Sequence, residues 1–121
     1  IEWQEVYRNH YYGTLRQEID RIRREGRIPL FDVDVQGGIN LKKIFGHHAL
    51  SIFVMPPSVE ELGRRLMLRG TDSPEKIAMR VEKAASEILL AEHFDTIIIN
   101  DNLEKACIAV ANVVREFIDR P

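Results

Sequence analysis

"LSIFVMPPSVEELGRRLMLRG", residues 50–70, carries a strand, a turn, a helix and a stop in that order. The apolar run at 50–55 shows little alternation, as expected of a strand buried on both faces. Ser58 followed three positions later by Glu61 has the form of a helix cap box, which predicts a helix over 58–69, and Gly70 stands where that helix should stop. Working outward, two further apolar runs have the same character: "IPLFDVDV" at 28–35 and "TIIIN" at 96–100. Thr14 with Gln17 and Asp101 with Glu104 repeat the cap spacing, and Ser73-Pro74 adds a cap with proline at the first helical position. Helices are therefore expected near 15–25, 37–45, 58–69, 74–92 and 102–119, with Gly26 and Gly46 closing the first two. Residues 1–8 alternate apolar and polar and predict a short half-buried strand. Strand alternating with helix implies an α/β fold with a parallel sheet and right-handed crossovers. In such sheets ligands bind beyond the carboxyl ends of the strands, here near residues 32–36, 56–57 and 100–101.

The totals bound the answer. A chain of 121 residues that is 45% apolar reads as one domain with a real core. Lys plus Arg, 17, nearly balances Asp plus Glu, 19, so there is no basic excess of the kind a nucleic-acid binder uses to release counterions. The longest apolar runs are strand-sized, which argues against a membrane span, and no signal-peptide pattern is visible. A single cysteine, Cys107, forms no internal disulfide and fits a reducing, cytoplasmic compartment. The chain opens at Ile1 inside an alternating pattern, which predicts sequence upstream of it.

Four stretches carry candidate chemistry. "RNHYYGTLRQEI", residues 9–20, sets two tyrosines and a threonine around a glycine just before an expected helix. Turn chemistry with half-buried aromatics is one reading; a pocket for a phosphate-bearing molecule is the other. Asp32 and Asp34 end an apolar run two residues apart, so in extended conformation both carboxylates project from one face. They suit either a hydrated Mg²⁺ or a ribose in a phosphate-transferring enzyme, or the capping of the next helix. Gly37-Gly38 then lets backbone approach a ligand or a neighbour. Arg64, Arg65, Arg69 and Arg80 flank a break at Gly70-Thr71-Asp72. These are either a solvated helix face or the cations of a mobile lid that clamps a polyphosphate and excludes water. The stripes Ile77, Val81, Ala84, Ala85, Ile88, Leu89 and Leu103, Ala106, Val110, Val113, Val114, Phe117 read as core, and His47-His48 as a surface loop with no third metal ligand nearby.

In combination, "IEW" with "NHYYGT", "DVDVQGG", "SIFVMPPSVEELGRRLMLRGTDS" and "TIIINDNLEKA" resemble guanylate kinase, in order and across essentially the whole chain. The resemblance implies a three-layer P-loop-type nucleoside monophosphate kinase fold with a parallel sheet, and transfer of the ATP γ-phosphate to GMP with Mg²⁺. By the same resemblance Glu2 accepts from guanine N1–H and the exocyclic amine, and Thr14 meets the guanine edge near O6. Such pairing discriminates against a base that leaves buried polar groups unmatched, by roughly 10⁴-fold or more. Tyr12, with Gly13, is placed at the GMP phosphate; Asp32 and Asp34 lie near the nucleoside, with Asp34 meeting the metal only through its water shell. Arg65, Arg69 and Arg80 are the catalytic arginines that approach the phosphates on lid closure, and Arg65, Arg69 and Asn100 are the ATP-side residues, Asn100 next to adenine. The resemblance divides the chain into part of a GMP-binding lobe (1–27), core (28–57), lid region (58–80) and core (81–121).

One departure matters. The family's glycine-rich G-x-x-x-x-G-K-[ST] phosphate loop does not occur in these 121 residues. It is expected upstream of Ile1, together with the strand that lies between those at 28–35 and 50–55. The chain by itself is accordingly expected to be inactive and to expose apolar strand edges. Two other readings stand beside this one. A non-catalytic guanylate-kinase-like interaction module shares the resemblance but would ignore GMP. A kinase for another nucleoside monophosphate is disfavoured by Glu2, because adenine has an acceptor at N1. The resemblance implies GMP and ATP as partners, with no nucleic acid and no membrane, and it allows a homo-oligomer.

Overall fold

The structure, a computed structural model, describes residues 9–120, with side chains described from Arg16 onward. The strand expected over 1–8, which contains Glu2, lies outside the described residues. Among the described residues two helices precede each of two strands and one follows: α1 (Asn9–Arg24), α2 (Val35–Phe45), β1 (Ile52–Met55), α3 (Val59–Arg69), α4 (Pro74–Ile88), β2 (Thr96–Ile99) and α5 (Leu103–Ile118). Short 3₁₀ turns at Gly46–His48 and Ala91–His93 lead into the two strands. β1 and β2 are hydrogen-bonded and parallel, with Ile52 opposite Thr96 and Met55 opposite Ile99. No helix among the described residues is long and apolar enough to cross a membrane.

The local signals explain most element ends. Ser58 Oγ accepts from the Glu61 N–H at 3.0 Å, and Ser73 Oγ accepts from the Lys76 N–H at 3.3 Å with Pro74 at the first helical position. Gly70 takes a left-handed φ of 70° and its N–H reaches Met67 O, so α3 stops where a side chain would be strained. Ahead of the strands, Asp95 Oδ2 accepts from the Ser51 N–H at 2.9 Å and from Lys42 Nζ at 2.8 Å, while the Asp95 N–H donates to Ser51 Oγ at 3.0 Å. This lock pins the amino ends of both strands to α2 and sets their register.

Four expectations need correction. The first helix already includes Asn9, the first described residue, so Thr14 lies within it and is not its cap. Once nucleated, a helix gains a hydrogen bond for each residue added and runs through a local cap signal. The cap of α5 is Asn102, whose side chain accepts from the Lys105 N–H at 3.0 Å, and not Asp101. Either residue type can cap; the one used is the last with extended backbone, at φ −120° and ψ 124°. Residues 28–34 form no strand, because no strand among the described residues runs alongside to complete a ladder. Leu30 there is 92% exposed.

The fourth correction concerns the core. Among the described residues each of six elements contributes one buried apolar side chain, Ile19, Leu41, Phe53, Leu66, Ile98 and Ala106, with Ala91 from the second 3₁₀ turn. α4 packs on α3, yet its stripe is at most half-buried, and Ala85 and Leu89 are exposed. On α5 Ala106 is buried, Val110, Val113, Val114 and Phe117 are half-buried, and Leu103 is exposed. The neighbour that Gly38 makes room for is Phe94: a Cβ at Gly38 would lie 2.9 Å from Phe94 Cε2.

Candidate active site

A cleft of about 350 Å³ opens at the carboxyl ends of both strands, lined by Val54, Met55, Leu62, Arg65, Arg69 and Asn100 among others. The Asn100 N–H donates to Met55 O at 2.8 Å, which carries the pairing one residue past β2 and fixes Asn100 at the sheet's end. Its floor is apolar and its polar groups come from one helix face and one loop, so an aromatic base and a charged tail could both be accommodated.

Arg65 is the strut of this site. Its Nη1 donates to Asn100 O at 2.8 Å, its Nη2 to Asp101 O at 3.1 Å and its Nε to Glu61 Oε2 at 2.9 Å. The guanidinium thus ties α3 to the loop between β2 and α5. Glu61 also binds Arg64, Nε at 2.6 Å and Nη2 at 2.8 Å. Those bonds, with the one from Arg65, hold the Glu61 carboxyl down at about 2, far below its ordinary value. Arg69 is held by Thr71 Oγ1 at 3.0 Å and Asp72 Oδ2 at 3.1 Å, and Arg80 Nε lies 3.4 Å from the same Asp72 oxygen.

The structure therefore brings Arg65, Arg69 and Asn100 to one cleft and links Arg80 to Arg69 through Asp72. Asp32 and Asp34 are not among the lining residues. Asp34 caps α2, its Oδ1 accepting from the Gly37 N–H at 2.8 Å, which is the capping alternative left open by the sequence. Asp32 and Asp34 are both exposed while Phe31 and Val33 between and beside them are half-buried, so the two carboxylates do share a side. Tyr12, Gly13 and Thr14 fall in the first turns of α1, but what their side chains meet lies outside the described residues, as does Glu2. Sequence reasoning missed Glu61 and Asp72 as the partners of the arginines. The spacing was a usable signal: Glu61 precedes Arg64 by three and Arg65 by four on one helix.

These features define a class: a parallel α/β protein with an arginine-walled, anion-ready cleft beyond its strand ends. Comparison with known proteins makes it specific. The guanylate kinase family model matches residues 1–117. The chain is 48% identical over 120 residues to the guanylate kinase of Bacteroides thetaiotaomicron, covering 99% of this chain and 59% of that protein. It is 48% identical over 118 residues to that of Porphyromonas gingivalis, covering 98% and 63%, and 42% identical over 117 residues to that of Chlorobaculum tepidum, covering 97% and 60%. The chain belongs to the guanylate kinase family and has the family's P-loop-type kinase fold over the part it spans. It spans about 59% of the length of the first of these relatives.

Proposed function

We infer that this chain supplies the nucleoside-side and lid residues of an ATP:GMP phosphotransferase that forms GDP and ADP. The observation that carries the reading is the convergence of Arg65, Arg69 and Asn100 on one cleft at the strand ends, in a chain 48% identical to guanylate kinases. Phosphoryl transfer asks little covalent chemistry of a protein and depends on positioning and charge stabilisation. Arg65, Arg69 and Arg80 supply planar, permanently charged donors for the phosphates, and Asn100 flanks adenine. On the acceptor side Glu2 and Thr14 read the guanine edge, Tyr12 with Gly13 meets the GMP phosphate, and Asp32 and Asp34 face the nucleoside. Exposed carboxylate oxygens at Asp32 and Asp34 suit a hydrated Mg²⁺, which brought in with ATP would neutralise charge on the β- and γ-phosphates.

The glycine-rich phosphate loop is not in these 121 residues, so the 121-residue polypeptide alone is inactive and activity requires a chain that also carries that loop. The reading places the enzyme in the cytoplasm, where Cys107, the one thiol of these 121 residues, stays reduced. The non-catalytic module has no support from the comparisons, whose named relatives are all guanylate kinases. The test uses the protein encoded by the complete reading frame, with GMP or AMP offered as acceptor. GMP is preferred by roughly 10⁴-fold or more, and Glu2→Gln collapses that preference without unfolding the protein. Equal turnover of AMP and GMP by the unaltered protein would refute the base assignment.

A further inference from the structure

We propose that Asp72 is a positioning residue that yokes Arg69 and Arg80 into one phosphate-facing pair. The proposal rests on the kinase reading of the same site and adds to it a residue with no assigned part. Arg69 ends α3 and Arg80 lies within α4, so the two guanidiniums come from consecutive helices across the corner at Gly70. Both converge on the single oxygen Asp72 Oδ2, at 3.1 and 3.4 Å. The Asp72 side chain is only 12% exposed, whereas those of Arg69 and Arg80 are 54% and 56% exposed. The carboxylate thus lies beneath and the cations above it, facing solvent.

The way each arginine is held decides which edge it presents. Arg69 spends its Nε on Thr71 and its Nη2 on Asp72; Arg80 turns its Nε toward Asp72. Among the described residues the terminal nitrogens of Arg80 have no further partner, so its outer Nη edge is the one free for bidentate contact with phosphate. Without the intervening carboxylate, two like charges at this separation repel and rotate apart. Two effects then oppose each other. A net gain of one positive charge strengthens attraction for any polyphosphate, while loss of the yoke misplaces the donors. Half-exposed charges are well screened, so the first effect is small, whereas misplacing a donor by about 1 Å can cost on the order of 100-fold in rate.

The experiment compares Asp72→Asn and Asp72→Glu with the unaltered protein, expressed from the complete reading frame. Steady-state kinetics with MgATP and GMP are measured beside thermal unfolding and beside arginine Nε–H NMR during titration with inorganic tripolyphosphate. Asp72→Asn should lower kcat by about 10- to 100-fold with KM for ATP moved less than about threefold, and Asp72→Glu should recover part of the loss. In the unaltered protein the Arg69 and Arg80 signals should shift together with one midpoint, and in Asp72→Asn they should separate. A lowered melting temperature with unchanged kcat would mean that Asp72 is only structural and would overturn the proposal. A lowered KM for ATP with unchanged kcat would make Asp72 a competitor of phosphate and would overturn it equally. Should the unaltered protein fail to phosphorylate GMP, the kinase reading fails, and the titration alone then decides: coupled arginine shifts uphold the yoke, independent ones refute it.

Discussion

Two glycines on neighbouring helices should respond oppositely to the same substitution. At Gly38 in α2 an alanine Cβ would lie 2.9 Å from Phe94 Cε2, 3.0 Å from Phe94 Cζ and 3.7 Å from Val33 Cγ2. The Phe94 ring cannot simply swing away, because it stands edge-on to the buried Phe53 of β1, centroids 5.2 Å apart at 81°. Overpacking of this kind costs about 1–3 kcal/mol, and disturbing the aromatic pair up to about 1 kcal/mol more. Replacing a mid-helix glycine by alanine returns about 1 kcal/mol of helix propensity. Summed, these give a destabilisation of up to about 3 kcal/mol for Gly38→Ala, with a central expectation of about 1–2 kcal/mol. At Gly63 in α3 the new Cβ meets only Val81 Cγ2 at 3.5 Å, an ordinary contact. The propensity gain then stands nearly unopposed, and Gly63→Ala should stabilise by about 0.5–1 kcal/mol. Urea unfolding of both variants, with unchanged m-values, gives the comparison. A Gly38→Ala protein as stable as the unaltered one would show that the α2–Phe94 packing described above is wrong.

Three further outcomes follow from the same geometry. Ser58→Ala removes the acceptor for the Glu61 N–H and should cost about 1 kcal/mol in chemical denaturation, through the first turn of α3. The Glu61 carboxyl is held at about 2 against an ordinary 4.5, first by Arg64 and then by Arg65. Its folded pKa is depressed, so its contribution is complete above 4.5 and fades as pH falls toward 2; Glu61→Gln should flatten the fall of unfolding midpoint over that interval. Arg65→Lys keeps the charge but cannot reach Glu61, Asn100 O and Asp101 O together, so KM for ATP should rise several-fold while KM for GMP changes little. An unchanged KM for ATP would separate Arg65 from the nucleotide.

How much of this was legible beforehand depends on whether the signal was local. Ser58, Ser73 and Gly70 act on their own neighbours: α3 begins and ends where the spacing says it should, and α4 begins after Ser73 as expected but stops at Ile88, short of the expected 92, where no glycine or proline signal marks the end. The runs at 50–55 and 96–100 became β1 and β2 because each provides the other with a ladder. Residues 28–34 have equally apolar composition, but a strand is a property of a pair, and among the described residues that segment has none. Thr14 inside α1 and the Asn102 cap show the weakness of a cap spacing read alone: propagation overrode one signal, and two adjacent residues could serve the other. The arginines of the site were visible as charges. Their holders were not, since Asn100 O and Asp101 O meet Arg65 only after 35 residues of chain have folded back.

The central claim is tested most directly by following ATP and GMP by ³¹P NMR in the presence of the protein encoded by the complete reading frame and Mg²⁺. The account predicts GDP and ADP appearing in equal amounts, with no such transfer by the 121-residue chain alone. A folded complete protein that leaves GMP unphosphorylated, or a 121-residue chain that phosphorylates it unaided, would contradict the account.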